Sequence, residues 1–188
     1  MPIYDQCNVN IDAPQCDPCL TDIEHGRVRA VAIFVSKSAY DAVVAAPDQA
    51  TAWQTGITAG EIFIIPDTSG TFDGGAPQDG PGYGDLASRN IGFQFTLLFN
   101  DPNFKTNCAF YNQLARNNGV YIGWKTETQV RLSGAPVRIV PTSPVTDDVT
   151  SELVFAVNAI WNERDQPCPF DAPEGIFVCQ GSDDGDDD

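Results

Sequence analysis

The chain has 188 residues, of which 42% are hydrophobic, and this is enough for one globular domain with a substantial core. Ten Lys and Arg residues against 26 Asp and Glu residues give a formal net charge of −16. This charge excludes a function in binding nucleic acid through its phosphates, because such binding needs basic side chains. No apolar run approaches the roughly 18 residues of a membrane span, and Met1–Asp5 lacks the basic and apolar regions of a secretory signal.

The first half of the chain combines an irregular arm, strands and short helical runs. Residues 1–25 are rich in Cys, Asp and Pro and show no period, so we interpret them as an extended arm. Residues 26–36 alternate and then become fully apolar, as a strand entering a core does. Residues 38–61 contain two short helix-like runs, and residues 61–66 predict a short buried strand that ends at a proline.

A glycine-rich segment separates the two halves of the chain. Residues 67–90 are dominated by Gly, Asp, Pro and Ser, and we interpret them as a long loop or an open hairpin. Loops of that length inside a domain are usually functional or contact a partner.

Strands dominate the second half. Alternation predicts a strand over residues 91–101, one long strand over residues 120–132, and strands over residues 135–144 and 150–162 that are joined by a turn. Residues 101–119 predict a helix that stops at an Asn-Gly pair. The residues predicted to face the core are Leu153, Phe155, Val157, Ala159 and Trp161 in the last strand and Phe104, Cys108, Tyr111, Leu114 and Ala115 in the helix.

These elements predict a mainly β chain, an antiparallel β-sandwich or barrel with one packed α-helix, a long Gly-rich loop and extended terminal arms. The predicted divisions are an arm over residues 1–25, a β-rich domain over residues 26–162, and a Pro- and Cys-rich arm over residues 163–188 that ends in an acidic, disordered tail. Residues 183–188 supply five negative charges, and without them the formal charge is still −11. The folded body is therefore predicted to be acidic.

The six cysteines are the main candidates for chemistry. Cys16 and Cys19 form a C-x-x-C motif, but a thioredoxin-type motif begins a helix after a strand, and this one lies in the irregular arm. Zinc needs four ligands, of which one such pair supplies two. Three interpretations stay open: a zinc site completed where the arms meet, disulfides, or free thiols. They draw on Cys7, Cys16, Cys19, Cys168 and Cys179, whereas Cys108 is interpreted as a buried thiol of the predicted helix.

Catalytic chemistry has few residues to draw on. His25 is the only histidine, so a Ser–His or Cys–His nucleophile would depend on a residue beside the first strand. No phosphate-binding loop of the G-x-x-x-x-G-K-[ST] form occurs, and residues 67–75 lack the ligand spacing of an EF-hand. The sequence therefore predicts no enzyme, no catalytic residue and no cofactor, with zinc on the cysteines as the one alternative.

Several segments resemble virion structural proteins of tailed phages, chiefly those that infect Bacteroidetes. They are GRVRAVAIF after a Cys-rich start, EIFIIPDTSGTFDGG, the strand FQFTLLFNDPN, the helix CAFYNQLARNNG and the strand VYIGWKTETQVRL. This strand–helix–strand order with a late hairpin is similar to that of tail-tube and neck-ring proteins. The resemblance covers residues 7–175, and because it contains no catalytic signature, it implies no functional residues.

The resemblance implies a homo-oligomeric ring or tube in the tail or neck of a virion, assembled in the host cytoplasm with other virion structural proteins and without a membrane. Strands of neighbouring subunits would join into a continuous barrel. Residues 67–90 would reach the adjacent subunit, and the negative charge would line a channel that DNA crosses without specific binding. Two alternatives stay open: a head decoration or auxiliary capsid protein, and a disulfide- or zinc-stapled extracellular β-domain that binds a ligand.

Overall fold

A computed structural model describes residues 26–178, except residues 85–86, 104, 118 and 146–152. The helices of this part are α1 (Lys37–Ala45), α2 (Ala50–Thr58) and α3 (Cys108–Leu114). Its strands are β1 (Ala30–Phe34), β2 (Ile62–Ile65), β3 (Ser69–Phe72), β4 (Ala76–Pro81), β5 (Ser88–Asp101), β6 (Tyr121–Lys125), β7 (Gln129–Leu132), β8 (Arg138–Thr142), β9 (Phe155–Glu163) and β10 (Phe170–Asp171).

The strands form two antiparallel sheets. Sheet I has the strand order β10-β7-β6-β1-β2, and sheet II has the order β3-β5-β9-β8, with β4 also paired to β5. Neither sheet closes on itself within the described part of the chain. The predicted mainly β, antiparallel fold is therefore confirmed as a sandwich.

The two sheets face each other across the main core. Alternate residues of β5 and β9 point into it, because successive side chains of a strand lie on opposite faces. This alternation buries Phe155, Val157, Ala159 and Trp161, as predicted, whereas Leu153 is exposed because it precedes β9. Four aromatic rings, with centroids between 4.6 and 6.0 Å apart, pack in this core. They belong to Phe72, Phe95, Trp124 and Trp161.

Sheet I is buried on both faces, because α1 and α2 cover the side that faces away from sheet II. All five residues of β1 are buried, and the Phe34 ring lies 5.5 Å from Tyr40 of α1 and 5.4 Å from Trp53 of α2. Helix α2 approaches β2 so closely that a Cβ at Gly56 would overlap the Ile62 side chain. The two helix-like runs of residues 38–61 are therefore α1 and α2, and the described chain has three helices where the predicted fold counts one packed helix.

Residues 67–90 were predicted to form either a long loop or an open hairpin, and the structure shows that they contain strands. β3 pairs with residues 97–100 of β5, and β4 pairs with residues 88–94 of the same strand. The second prediction, a hairpin, is therefore correct for β4 and β5. Glycine marks close backbone approach here as well as turns, because a Cβ at Gly70 would overlap the Leu98 carbonyl oxygen.

The single long strand predicted over residues 120–132 was wrong, since these residues form the hairpin of β6 and β7. The strands pair antiparallel, with Lys125 opposite Val130, and the backbone N–H of Thr126 donates to the carbonyl of Gln129 at 2.9 Å. The polar run between the strands is therefore a turn. The turn is only a few residues long, so the sequence pattern of β6 runs on into β7 and hides the break between the two strands.

Helix α3 is shorter than predicted and presents fewer residues to the core. It buries Tyr111 and Leu114, while Ala115 is exposed and residue 104 lies outside the described part. Cys108 is also exposed, and its Sγ accepts a hydrogen bond from Asn112 at 3.5 Å. The prediction of a buried thiol was wrong, because Cys108 opens a seven-residue helix that touches the core only further along.

A buried carboxylate joins the end of β5 to α3. Asp101 is fully buried, and its Oδ1 accepts the backbone N–H of Asn103 at 2.8 Å. Its Oδ2 accepts hydrogen bonds from Asn107 Nδ2 at 2.6 Å and from the Tyr111 hydroxyl at 2.8 Å. Burial, together with the negative charge of Asp101, raises the pKa of Tyr111 well above its ordinary value. The phenol therefore stays protonated and serves as a donor.

Part of the predicted C-terminal arm belongs to the packed body. β10 pairs with β7 through Phe170 and Val130, and Ile176 and Phe177 are buried against the helix layer. The Phe177 ring lies 5.2 Å from Trp53 in an edge-to-face arrangement. Residues 179–188, which include the acidic tail, lie outside the described part.

Candidate functional site

Most of the candidate site residues predicted from the sequence lie outside the described part of the chain. These are Cys7, Cys16, Cys19, His25 and Cys179. Cys168 is described, exposed and free. Within residues 26–178, apart from the gaps given above, no group of three or more His, Cys, Asp and Glu side chains is placed to hold a metal ion. Cys168 therefore supplies one ligand at most from the body of the protein.

The charge of the chain is divided unevenly between the described body and the remaining segments. All ten Lys and Arg residues but only twelve of the 26 Asp and Glu residues lie in the described part, so its formal charge is −2. The other fourteen acidic residues lie in residues 1–25, 85, 146–152 and 179–188. The prediction of an acidic body is thus corrected. The charge of −11 excludes residues 183–188 alone and still includes the acidic residues of the other undescribed segments.

Strand β2 forms an uncovered edge of sheet I. Its sequence is Ile-Phe-Ile-Ile, without a charged residue or a proline, and no described strand pairs with its outer side. Phe63 is 39% exposed, and its ring lies 5.4 Å from that of Phe110 in α3. Strand β8, the outer strand of sheet II, contains Arg138 and Pro141 instead. Charges and prolines block edge-to-edge pairing, so β2 is more open to another strand than β8 is.

A two-stranded hairpin extends past the end of β9. β4 pairs with residues 88–94 of β5, whereas β9 pairs with β5 only from Phe93 onward, so residues 88–92 have no partner on the β9 side. Tyr83 at its tip is 70% exposed and Ile91 is 55% exposed, and the Arg89 guanidinium lies 5.1 Å from the centroid of the Tyr83 ring. An isolated two-stranded hairpin is marginally stable in water. The outer part of this hairpin therefore has no third strand beside it among the described residues.

Among the described residues of β3, β5, β8 and β9, the outward face of sheet II carries no acidic side chain. A groove of about 750 Å³ lies on it, lined by Leu98, Asn100, Val140 and Asn158 among others, with Arg27 at one side. The strand register places amides, hydroxyls and small apolar groups across this face, and Arg138 is its other charged residue. Asn158 Oδ1 is buried without a hydrogen-bond partner. The described part of this face therefore carries positive charge only.

A buried phenol links the helix layer to the loop after β7. The Tyr40 hydroxyl donates to the Ser133 carbonyl at 2.5 Å, and the Tyr40 ring stacks on Tyr121 with centroids 4.0 Å apart. Burial and, to a smaller extent, the charge of Glu163 raise the pKa of Tyr40 to about 12.

We expect this phenol to make the protein sensitive to alkali. Its folded pKa lies above the ordinary value of about 10, so its contribution to stability is complete below pH 10 and is lost as the pH rises towards 12. Urea unfolding midpoints should therefore fall over this range more steeply in the wild type than in Tyr40→Phe. Equal slopes in the two proteins would contradict the assignment.

Comparison of the chain with family models, with curated proteins and with solved structures finds no match. None of the described helices is long and apolar enough to cross a bilayer.

The residues that distinguish this surface carry little signal in the sequence. Phe63 belongs to a short apolar run, and such a run does not reveal whether its strand is central or at an edge. Tyr83 and Ile91 lie in or beside a segment whose glycines indicate turns. The sequence does not show that β5 begins at Ser88, because Ser88, Arg89 and Asn90 are all polar and give no alternation before the predicted strand.

Proposed function

We propose that this chain is a structural subunit of a virion, of the tail-tube or neck/connector type, which assembles into homo-oligomeric rings around a channel for DNA. The observation that carries the proposal is the uncovered apolar edge of β2. A strand edge without charges or prolines is a template for pairing with another chain. Ring closure gives every subunit the same pair of neighbours and leaves no edge unpaired.

The projecting hairpin of β4 and β5 and the outward face of sheet II support the same assembly. The hairpin exposes Tyr83, an aromatic residue of the kind that is enriched in protein interfaces. The outward face of sheet II supplies a second surface on which neighbours can pack. Both features suit contacts between copies, and neither offers the grouped nucleophile, base and oxyanion donors that catalysis requires.

The negative charge of the channel comes from the acidic segments in this proposal, because the described body is close to neutral. Fourteen acidic residues lie in these segments of each subunit and no Lys or Arg does. A ring multiplies this charge around its axis. DNA that passes such a ring is repelled from the wall, and without basic side chains on the wall it releases no counterions by binding.

Imaging of the purified chain tests the proposal. Negative-stain electron microscopy and native mass spectrometry should show rings or tubes of one stoichiometry, and antibodies should label the tails or necks of particles. Labelling of heads would support the decoration-protein alternative instead. A protein that stays monomeric at high concentration and is absent from particles would rule out a virion role.

A charge on the β2 edge should prevent assembly. Phe63→Lys places an ammonium group on the open edge, as natural edge strands do to avoid pairing, and we expect rings to be lost while the monomer stays folded. The matched control is Val44→Lys, since Val44 is 47% exposed but lies on α1, away from the sheet edges. Native mass spectrometry and circular dichroism measure the two effects. Rings that persist in Phe63→Lys would show that β2 is not the joint.

A further inference from the structure

A second groove lies between sheet I and the segment that follows β9. Its volume of about 470 Å³ falls within the range of roughly 300–1,000 Å³ that is usual for small-molecule sites. Val28, Phe72, Trp124 and Pro167 give it apolar walls, and Arg131 is the one charged residue of its described lining. The groove therefore combines an apolar interior with a single cation.

The strand register places that cation beside an aromatic wall. Arg131 lies directly opposite Trp124 in the pairing of β6 with β7, and residues that are opposite in an antiparallel pair point to the same face of the sheet. Val130, which precedes Arg131, points the other way and is buried in the helix layer. Trp124 belongs to the core between the sheets, where its ring lies 4.6 Å from that of Phe72. Arg131 and Trp124 are therefore neighbours on the side of sheet I that faces sheet II.

Arg131 has no anionic partner in the part of the chain that the structure describes. The ion pairs of this part join Arg29 to Glu127 and Lys37 to Asp41, and no Asp or Glu is among the described residues that line the groove. The Arg131 side chain is only partly exposed. A cation that is partly removed from water gains from an anion that binds beside it, so the lining is complementary to negative charge.

The indole of Trp124 indicates the same ligand chemistry independently. Trp124 is only 1% exposed, and its Nε1 is buried without a hydrogen-bond partner among the described residues. The other two indoles have acceptors, namely the Pro47 carbonyl for Trp53 and the Glu163 carboxylate for Trp161. A buried N–H without an acceptor is destabilising. A ligand oxygen in the groove would supply the acceptor that Trp124 lacks.

The wall opposite sheet I is held in place before any ligand binds. Gln166 Nε2 donates a hydrogen bond to the Gly74 carbonyl at 2.9 Å, and this bond ties the segment after β9 to the turn that follows β3. Pro167 and Pro169, which also line the groove, restrict the backbone of the same segment. A wall that is already ordered lowers the entropic cost of binding.

We propose that this groove binds a small organic monocarboxylate with an apolar body, such as a medium-chain fatty acid. The carboxylate oxygens accept hydrogen bonds from the Arg131 guanidinium and the Trp124 indole, and the apolar chain lies against Val28, Phe72 and Pro167. One arginine matches one negative charge, whereas a phosphate would gain nothing from the apolar walls. The proposal goes beyond the virion role and does not depend on it.

Nuclear magnetic resonance of the full chain tests the proposal with sodium octanoate as the probe. The ¹⁵N-labelled protein is titrated at neutral pH and constant ionic strength, and the indole N–H resonances of its three tryptophans are followed. Loss of one resonance in Trp124→Phe identifies that of Trp124. We expect octanoate to move this resonance downfield, because the N–H gains an acceptor, while that of Trp53, which is already bonded, stays in place.

Two further probes separate the charge from the apolar body. Acetate carries the carboxylate without the chain, and octan-1-ol carries the chain without the charge. Each should bind at least about tenfold more weakly than octanoate, because one lacks the burial of apolar surface and the other lacks the ionic hydrogen bond. This comparison uses the unchanged protein and so needs no variant to fold.

A matched pair of variants tests the role of Arg131. Arg131→Gln should weaken octanoate binding about tenfold, because a charge-assisted hydrogen bond is replaced by a neutral one. Arg138→Gln removes the same charge from β8, outside the lining of the groove, and should bind octanoate like the wild type. Circular dichroism establishes that both variants are folded.

Three results would overturn the proposal. Octan-1-ol that binds as tightly as octanoate would show a merely apolar surface, and equal octanoate affinities of Arg131→Gln and Arg138→Gln would remove the arginine from the site. A Trp124 resonance that octanoate leaves in place would mean that the indole and the groove are already occupied by another part of the chain. None of these results bears on the imaging of rings, so the two proposals stand or fall separately.

Discussion

Replacing Asp101 with Ala should lower the free energy of unfolding by about 3–5 kcal/mol, because a buried carboxylate that accepts three hydrogen bonds is lost. Its partners, the Asn103 amide, the Asn107 side chain and the Tyr111 hydroxyl, would be left without an acceptor. Chemical denaturation followed by circular dichroism measures this change. Asp101→Asn should cost less, since one side-chain oxygen still accepts a hydrogen bond.

The control for this prediction is another aspartate with a close partner. Asp41 accepts from Lys37 Nζ at 2.6 Å on the exposed face of α1. Exposed ion pairs contribute roughly 0–1 kcal/mol, so Asp41→Ala should leave the unfolding midpoint nearly unchanged. If Asp101→Ala and Asp41→Ala behaved alike, the network at the end of β5 would not hold α3 in place.

Phe177→Ala should also destabilise the chain strongly, by about 3 kcal/mol, because it empties a buried site between Trp53 and sheet I. The effect would establish that residues beyond the predicted β-rich domain complete the second core. Thermal unfolding followed by the fluorescence of the tryptophans reports both the loss of stability and the change around Trp53.

Val178 provides the neighbouring control for Phe177. It is 53% exposed, and surface truncations of this kind usually change stability by no more than about 0.5 kcal/mol. Val178→Ala should therefore unfold like the wild type. A Phe177→Ala variant as stable as Val178→Ala would mean that the helix layer closes without the C-terminal residues.

The sequence is most informative where one periodicity runs without interruption. Burial alternates along β5 from Phe95 to Asp101 and along β9 from Phe155 to Trp161, because one face of sheet II is buried and the other is open. Their core residues could therefore be read directly. β1 shows no alternation, because it is buried on both faces. Its continuous apolar run predicts burial but does not indicate which elements cover the strand.

The errors in the predicted strands also have physical causes. The hairpin of β6 and β7 depends on a turn of polar residues that continues the strand period, and β3 depends on a glycine that allows close backbone contact. Neither feature is visible without the partner strand, because strand pairing joins residues that are far apart in the chain. The candidate edge could not be predicted for the same reason, since β2 becomes an edge only through the order of sheet I.

Strand β5 has a mechanical consequence. Its fourteen residues, at about 3.3 Å each, make a continuous rod of about 46 Å. One end lies in the projecting hairpin, and the middle carries Phe95 in the aromatic core. A pull or tilt applied to the hairpin by a neighbouring molecule is therefore transmitted along hydrogen-bonded backbone into the packing between the sheets. The pairing of β4 with β5 shifts register beside Gly92, which has a φ of 146°, so the load reaches the interior through a bulge at the base of the hairpin.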